Sequence, residues 1–182
     1  MTSDQRLLIL ACSQRKRPDL ILLPALERYD GPVFHILRKF LRECPAKERH
    51  PDVYILSAQF GLIPAHQPIS NYDCCMTPQR ASTFRPQVLG QLGPILQNRQ
   101  FKELFISVGK DYAAALAGYE RLIPSHLSVI VAIGSRGRKQ ALLYDWLHGG
   151  APSLTLSPIQ RDSPRIRGMT VALTPEQIFE TV

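Results

Sequence analysis

With 182 residues, 45% of them apolar and 20% charged, the chain has the balance of one globular domain able to bury a core, and it lacks the bias of a disordered chain. No apolar run approaches the roughly 20 residues needed to cross a bilayer, so no membrane partner is expected. The net charge of +7 favours polyanions or phosphorylated small molecules, with an uneven solvated surface as the plain alternative.

In chain order, Leu7 to Ala11 reads as a first strand. Its apolar run is too short, and its flanks wrong, for a secretory signal, so the expected location is the cytoplasm. Pro32 to Cys44 places Val33, Ile36, Leu37, Phe40 and Leu41 at helical spacing. Val53 to Leu56 is a second strand, followed by a long connection to Asp73. Pro78 to Asn98 has helical character, but Pro86, Gly90, Gly93 and Pro94 predict an irregular or broken helix. Leu104 to Val108 is a third strand, Asp111 to Arg121 a helix, Leu127 to Ile133 a fourth strand, and Arg138 to Leu147 a helix.

Strand alternating with helix predicts an α/β fold: a single-domain open, mainly parallel sheet flanked by helices. The core spans about residues 5–150. Residues 151–182 read as a C-terminal appendage with a short strand at Met169 to Leu173 and a final helix signalled by Thr174-Pro175-Glu176-Gln177. Arg161, Arg165 and Arg167 in that appendage read as a solvated basic face rather than nucleic-acid contacts, because no aromatics interleave them.

Ligands of open α/β sheets bind beyond the carboxyl ends of the strands. Each of the four strands ends there in unusual residues: Cys12-Ser13-Gln14-Arg15-Lys16, Ser57 with its long connection, Gly109-Lys110-Asp111-Tyr112, and Gly134-Ser135-Arg136-Gly137-Arg138. Together they predict one polar, basic pocket. Lys16 there binds phosphate as a point charge, or acts as nucleophile or base if neighbouring Arg15 and burial depress its pKa. A solvated turn is the other reading of that segment. Cys12 is a small core residue unless it faces the pocket, where it becomes a nucleophile.

The turn at Gly134 and Arg136 resembles an anion-binding loop or, equally, an ordinary strand-to-helix turn. It is neither a Walker loop nor a dinucleotide fingerprint, and no cofactor is expected. The histidines are scattered without metal-ligand spacing. Cys12, Cys44, Cys74 and Cys75 form no C-x-x-C pair, so free thiols and no metal are expected.

Ile55-Leu56-Ser57-Ala58-Gln59-Phe60-Gly61-Leu62-Ile63, then Pro68-Ile69 and Asn71-Tyr72-Asp73 up to Met76, resembles the YaaA-type peroxide-stress protein family. Arg28-Tyr29-Asp30-Gly31-Pro32-Val33-Phe34 is similar to a second segment of that family, and Gly109-Lys110-Asp111-Tyr112 to a third. Cys12-x-x-x-Lys16 with Pro18 is similar to a motif of the archaeosine synthase catalytic core, in the same superfamily. Here Ala11 stands in place of its first proline, Arg17 precedes Pro18, and its tyrosine is absent. Another branch of the superfamily acts in 7-deazaguanine modification of DNA.

The resemblance implies an enzyme or enzyme-like domain acting on a nucleobase or modified, 7-deazaguanine-like base, carried by a nucleotide or nucleic acid. Lys16 would be its central catalytic residue, with Asp73 as acid/base or orienter and Ser13 and Cys12 beside them. Ser57, Phe60, Gly61, Tyr72, Tyr29, Gly31, Lys110, Tyr112, Gly134 and Arg136 would bind the substrate. Phe60 or Tyr72 would stack on the base, Ser57 and Asp73 would bond its edge, and Lys16, Lys110 and Arg136 would hold phosphate or polarise the reacting group. Two alternatives stand beside it: a non-enzymatic DNA-binding, stress-protective protein, and a small-nucleotide sensor.

Overall fold

The computed structural model describes residues 5–98 and 100–150. Its strands are β1 (Arg6–Ala11), β2 (Leu23–Pro24), β3 (Asp52–Ser57), β4 (Gly61–Pro64), β5 (Pro68–Ile69), β6 (Glu103–Ser107) and β7 (Ser128–Val131). Its helices are α1 (Ala25–Arg28), α2 (Pro32–Glu43), α3 (Pro78–Asn98), α4 (Lys110–Leu116) and α5 (Arg136–Leu147). The appendage, with its expected strand, final helix and arginines, lies outside the described residues.

β1 sets the architecture. Leu7, Leu8, Ile9 and Leu10 are all fully buried, which requires cover on both faces of the sheet. Their side chains alternate accordingly. Leu7 and Ile9 join Leu56, Leu104 and Ile106 under α3 and α4; Leu8 and Leu10 join Ile55 and Phe105 under α2 and α5. The sheet order is β4-β3-β1-β6-β7, with β3, β1, β6 and β7 mutually parallel and β4 antiparallel at the edge. No helix among the described residues is long and apolar enough to cross a membrane.

The connectivity also fixes where a crevice opens. From β1 the chain moves to β3 on one side; from β6 it moves to β7 on the other. The direction reverses between β1 and β6, and neighbouring loops there part to leave a gap.

α3 is one continuous helix, not the broken one that its prolines predict. Pro86 and Pro94 are exposed, as are Ser82 and Gly90, whose carbonyls lose their i+4 donors. Those carbonyls belong to exposed residues, open to solvent, while Ala81, Val88, Leu92 and Leu96 hold the opposite face in the core. The helix expected over residues 111–121 is shorter: α4 stops at Leu116, and Gly118, at φ 93°, turns the chain into a 3-10 turn at Tyr119–Leu122.

The long connection after β3 is also more ordered than its sequence suggests. Residues 61–64 fold back as β4, and β5 pairs with β2 in a separate two-stranded ribbon. At the turn between β3 and β4, Ser57 Oγ accepts the backbone N–H groups of Gln59 (3.1 Å) and Phe60 (3.2 Å). Gly61 sits at φ 74°, and a Cβ there would lie 2.8 Å from Gln87 Nε2. The left-handed turn favours glycine, and a larger residue would also have to displace the Gln87 amide.

Candidate functional site

The gap between β1 and β6 holds a cavity of about 540 Å³, within the size range of small-molecule sites. Cys12, Ser13 and Arg15 line it from beyond the end of β1, Gly109 from beyond the end of β6, Tyr112 from the first turn of α4, and Arg136, Lys139 and Gln140 from α5. Asp30 and Gly31 close it at the entry to α2. A Cβ at position 31 would lie 2.6 Å from Ser13 Oγ, so glycine there lets the entry to α2 press against Ser13.

Inside this cavity the Cys12 thiol lies 3.0 Å from the Tyr112 hydroxyl. Burial first, and then the neighbouring Cys12, pushes the Tyr112 phenol far above its ordinary range. Tyr112 therefore stays neutral at physiological pH and keeps a proton to share. On α5, Lys139 donates to the Val108 carbonyl at 2.8 Å, and burial lowers its pKa.

A second cavity of about 350 Å³ is lined by Gln14, Lys16, Asn71, Tyr72 and Asp73. Gln14 lines both cavities, so they adjoin. The segment after β1 is held against α1: Arg17 N donates to Arg28 O at 2.8 Å, Asp30 N donates to Arg15 O at 2.9 Å, and Lys16 bridges to Tyr29. Lys16 Nζ donates to the Gln14 carbonyl at 3.2 Å and sits over the Tyr72 ring, 4.3 Å from its centroid. A cation over an aromatic face is worth about 0.5–1 kcal/mol at an exposed site.

Behind this cavity the hydroxyls of Tyr29, Ser57 and Tyr72 form a closed triangle. Tyr29 donates to Ser57 at 3.2 Å, and Tyr72 lies 2.7 Å from Tyr29 and 2.9 Å from Ser57. Ser57 Oγ already accepts two backbone N–H groups as well as Tyr29. Its own proton therefore goes to Tyr72, and Tyr72 donates to Tyr29. Burial, reinforced by Cys12, raises the Tyr29 phenol to about 12 and pushes Tyr72 far higher.

The expected site residues thus divide. Cys12, Ser13, Gly31, Tyr112 and Arg136 share the larger cavity; Lys16, Tyr72 and Asp73 share the smaller one. Tyr29 and Ser57 are fully buried beneath them. Phe60 packs edge-on against Tyr72 at 5.2 Å between ring centres. Gly61, Lys110 and Gly134 line neither of these cavities. Gly134, at φ 101°, makes the turn into α5, and Lys110 opens α4 with an exposed side chain.

Sequence reasoning passed over Asp30 and Lys139. Asp30 gathers Arg15 and His35, each at 2.9 Å, and Arg38 at 3.4 Å. Its signal was its place between Tyr29 and Gly31. That of Lys139 was its spacing three residues after Arg136, which puts both on one helix face. Among the described residues, no group of three or more His, Cys, Asp or Glu side chains is arranged to hold a metal ion.

A family model described as "Family of unknown function (DUF6884)" matches residues 7–143. The chain belongs to this family. No curated protein and no solved structure matches it. The DUF6884 match runs from β1 into α5 and includes every residue named as lining either cavity.

Proposed function

We propose that this DUF6884 chain binds a nucleobase carried by a nucleotide or a nucleic acid, and acts on that base as an enzyme. One observation carries the reading: a single cavity at the β1–β6 reversal has Cys12 and Tyr112 on one side and the cations Arg136 and Lys139 on another. The first pair offers a nucleophile and a neutral proton donor. The second pair suits an anionic group. The resemblance of residues 55–63 and 68–76 to a superfamily that includes nucleobase-modifying proteins supports the same substrate class.

In this reading Cys12 is the candidate nucleophile, because its thiol lies in the larger cavity beside the Tyr112 hydroxyl. Ser13 and Gln140 bond polar edges of the base. Lys16 and Asp73, in the adjoining cavity, position the part of the ligand that reaches past Gln14. A base embedded in a nucleic acid would have to turn out of its stack to enter.

The test is native mass spectrometry of the purified protein, followed by assay of Cys12→Ala on whatever base or nucleotide is retained. A retained base-bearing ligand, bound but not converted by Cys12→Ala, is the expected result. A retained ligand with neither base nor phosphate would sink the reading, and full turnover by Cys12→Ala would remove Cys12 from the chemistry.

The net charge of +7 favours a second reading, a DNA-binding protein without chemistry. Its affinity for duplex DNA would fall steeply with added salt. Affinity that stays flat with salt counts against it.

A further inference from the structure

We propose that Arg136 and Lys139 together seat a phosphate group in the larger cavity, which fixes the direction in which the ligand lies. The inference rests on the nucleotide reading above and adds the ligand's orientation. It comes from following each cation around the site to its counter-charge. Arg15 pairs with Asp30, which also holds Arg38 and His35, and Arg17 pairs with Asp19 at 3.1 Å. Lys16, in the adjoining cavity, has no carboxylate within ion-pair distance among the described residues but is engaged by the Gln14 carbonyl and the Tyr72 ring. Within the larger cavity Arg136 and Lys139 differ from Arg15: no carboxylate among the described residues lies within ion-pair distance of either.

Both residues line the same cavity, three positions apart at the start of α5. Lys139 uses one N–H on the Val108 carbonyl, and an ammonium group has three to give. Its remaining donors and the planar guanidinium of Arg136 match the oxygens of a phosphate. Burial disfavours the charged amine of Lys139, and an anion beside it reverses that penalty. Across the cavity, the wall by α2 offers no uncommitted cation, because Arg15 and Arg38 are both spent on Asp30. The phosphate end therefore lies at α5, and the base end lies toward Ser13, Cys12 and Tyr112.

The phosphate has two possible sources, a free nucleotide or a nucleic-acid backbone. Calorimetric titration distinguishes them with a nucleoside 5′-monophosphate, its nucleoside, a short single-stranded oligonucleotide and inorganic phosphate. Wild type is compared with Lys139→Met and Arg136→Gln. Hydrogen bonds to charged groups are stronger than neutral ones, so each variant is expected to bind phosphorylated ligands at least about 10-fold more weakly. Affinity for the nucleoside should change by less than about 3-fold, within roughly 0.7 kcal/mol. Tighter binding of the oligonucleotide than of the monophosphate assigns the phosphate to a polymer, and the reverse assigns it to a free nucleotide.

Equal loss for nucleoside and monophosphate would overturn the seat, as would an unchanged preference for phosphate in both variants. Inorganic phosphate separates the two claims. If wild type binds it and the variants do not, while no nucleoside-bearing ligand binds, the seat stands and the nucleotide reading falls. If wild type binds neither inorganic phosphate nor any phosphorylated ligand, the seat falls. Arg136 is exposed, so Arg136→Gln carries the test even if Lys139→Met fails to fold.

Discussion

The phenol oxygen of Tyr72 lies 2.7 Å from that of Tyr29, 43 residues earlier in the chain, and both reach the hydroxyl of buried Ser57. This contact returns the far end of the long connection to the end of β3. Within the triangle each hydroxyl donates once and accepts once, and Ser57 accepts the Gln59 and Phe60 N–H groups besides.

Removing a hydroxyl from this triangle leaves buried partners unpaired, a cost of about 1–3 kcal/mol per orphaned group. Tyr72→Phe is expected to destabilise the protein within that range. Ser57→Ala should cost more, because Gln59 N–H, Phe60 N–H and the Tyr29 hydroxyl all lose their acceptor. Urea unfolding should show lower midpoints with unchanged slopes, the lower one for Ser57→Ala. Equal stability of Ser57→Ala and wild type would refute the triangle.

The same burial makes stability fall in alkali. The Tyr29 phenol titrates near 12 when folded, above its ordinary value, so the folded state holds its proton more tightly than the unfolded chain does. That contribution is complete below about pH 10 and is lost as pH rises toward the folded value. Stability measured by denaturant across this window should decline in wild type and decline less in Tyr29→Phe. A decline of the same size in both would assign the effect to other groups.

Arg28 is fully buried, with no carboxylate partner among the described residues. Its guanidinium donates instead to the carbonyls of Arg17, Asp19, Ile21 and Ile69. Those bonds brace the loop that presents Leu20, Ile21 and Leu22 to solvent. Arg28→Met should cost more than about 3 kcal/mol, since several bonds to a charged group vanish together. Limited proteolysis should then cut near Leu20 to Leu22 in the variant before wild type is cut at all. Wild-type resistance of this loop in Arg28→Met would exclude the brace.

Gly61→Ala separates turn geometry from ligand contact. Alanine at φ 74° is strained by about 1–2 kcal/mol, and its methyl would press on Gln87. The melting temperature should drop while the affinity of the remaining folded protein for its ligand stays unchanged. A loss of affinity at unchanged stability would return Gly61 to the binding site.

The parallel sheet was legible in the sequence because its strands are short, nearly continuous apolar runs with helical spacing between them. β4 was not. Gly61-Leu62-Ile63-Pro64 is brief and flanked by turn residues, and it becomes a strand only because β3 offers it an open edge. The continuity of α3 was hidden for a related reason: local propensity counts Pro86 and Pro94 but not the direction in which their freed carbonyls point. Among site residues, Cys12, Tyr112 and Arg136 stand where their strand ends predict, in one cavity. The assignment of Lys16 to that same cavity overlooked the pairing of residues 15–17 with 28–30, which turns Lys16 onto Tyr72.

β1 is the central strand of the sheet and β6 lies beside it, also interior, and the larger cavity stands on their ends. Amides in such strands exchange with solvent only when the whole molecule opens. A ligand held there therefore adds its binding free energy to the cooperative unfolding transition, by an amount that grows with the logarithm of its concentration. Fraying at the sheet edges does not release it. Melting curves recorded against a panel of bases, nucleosides and nucleotides consequently give a direct search for the natural ligand, with the size of each shift ranking the candidates.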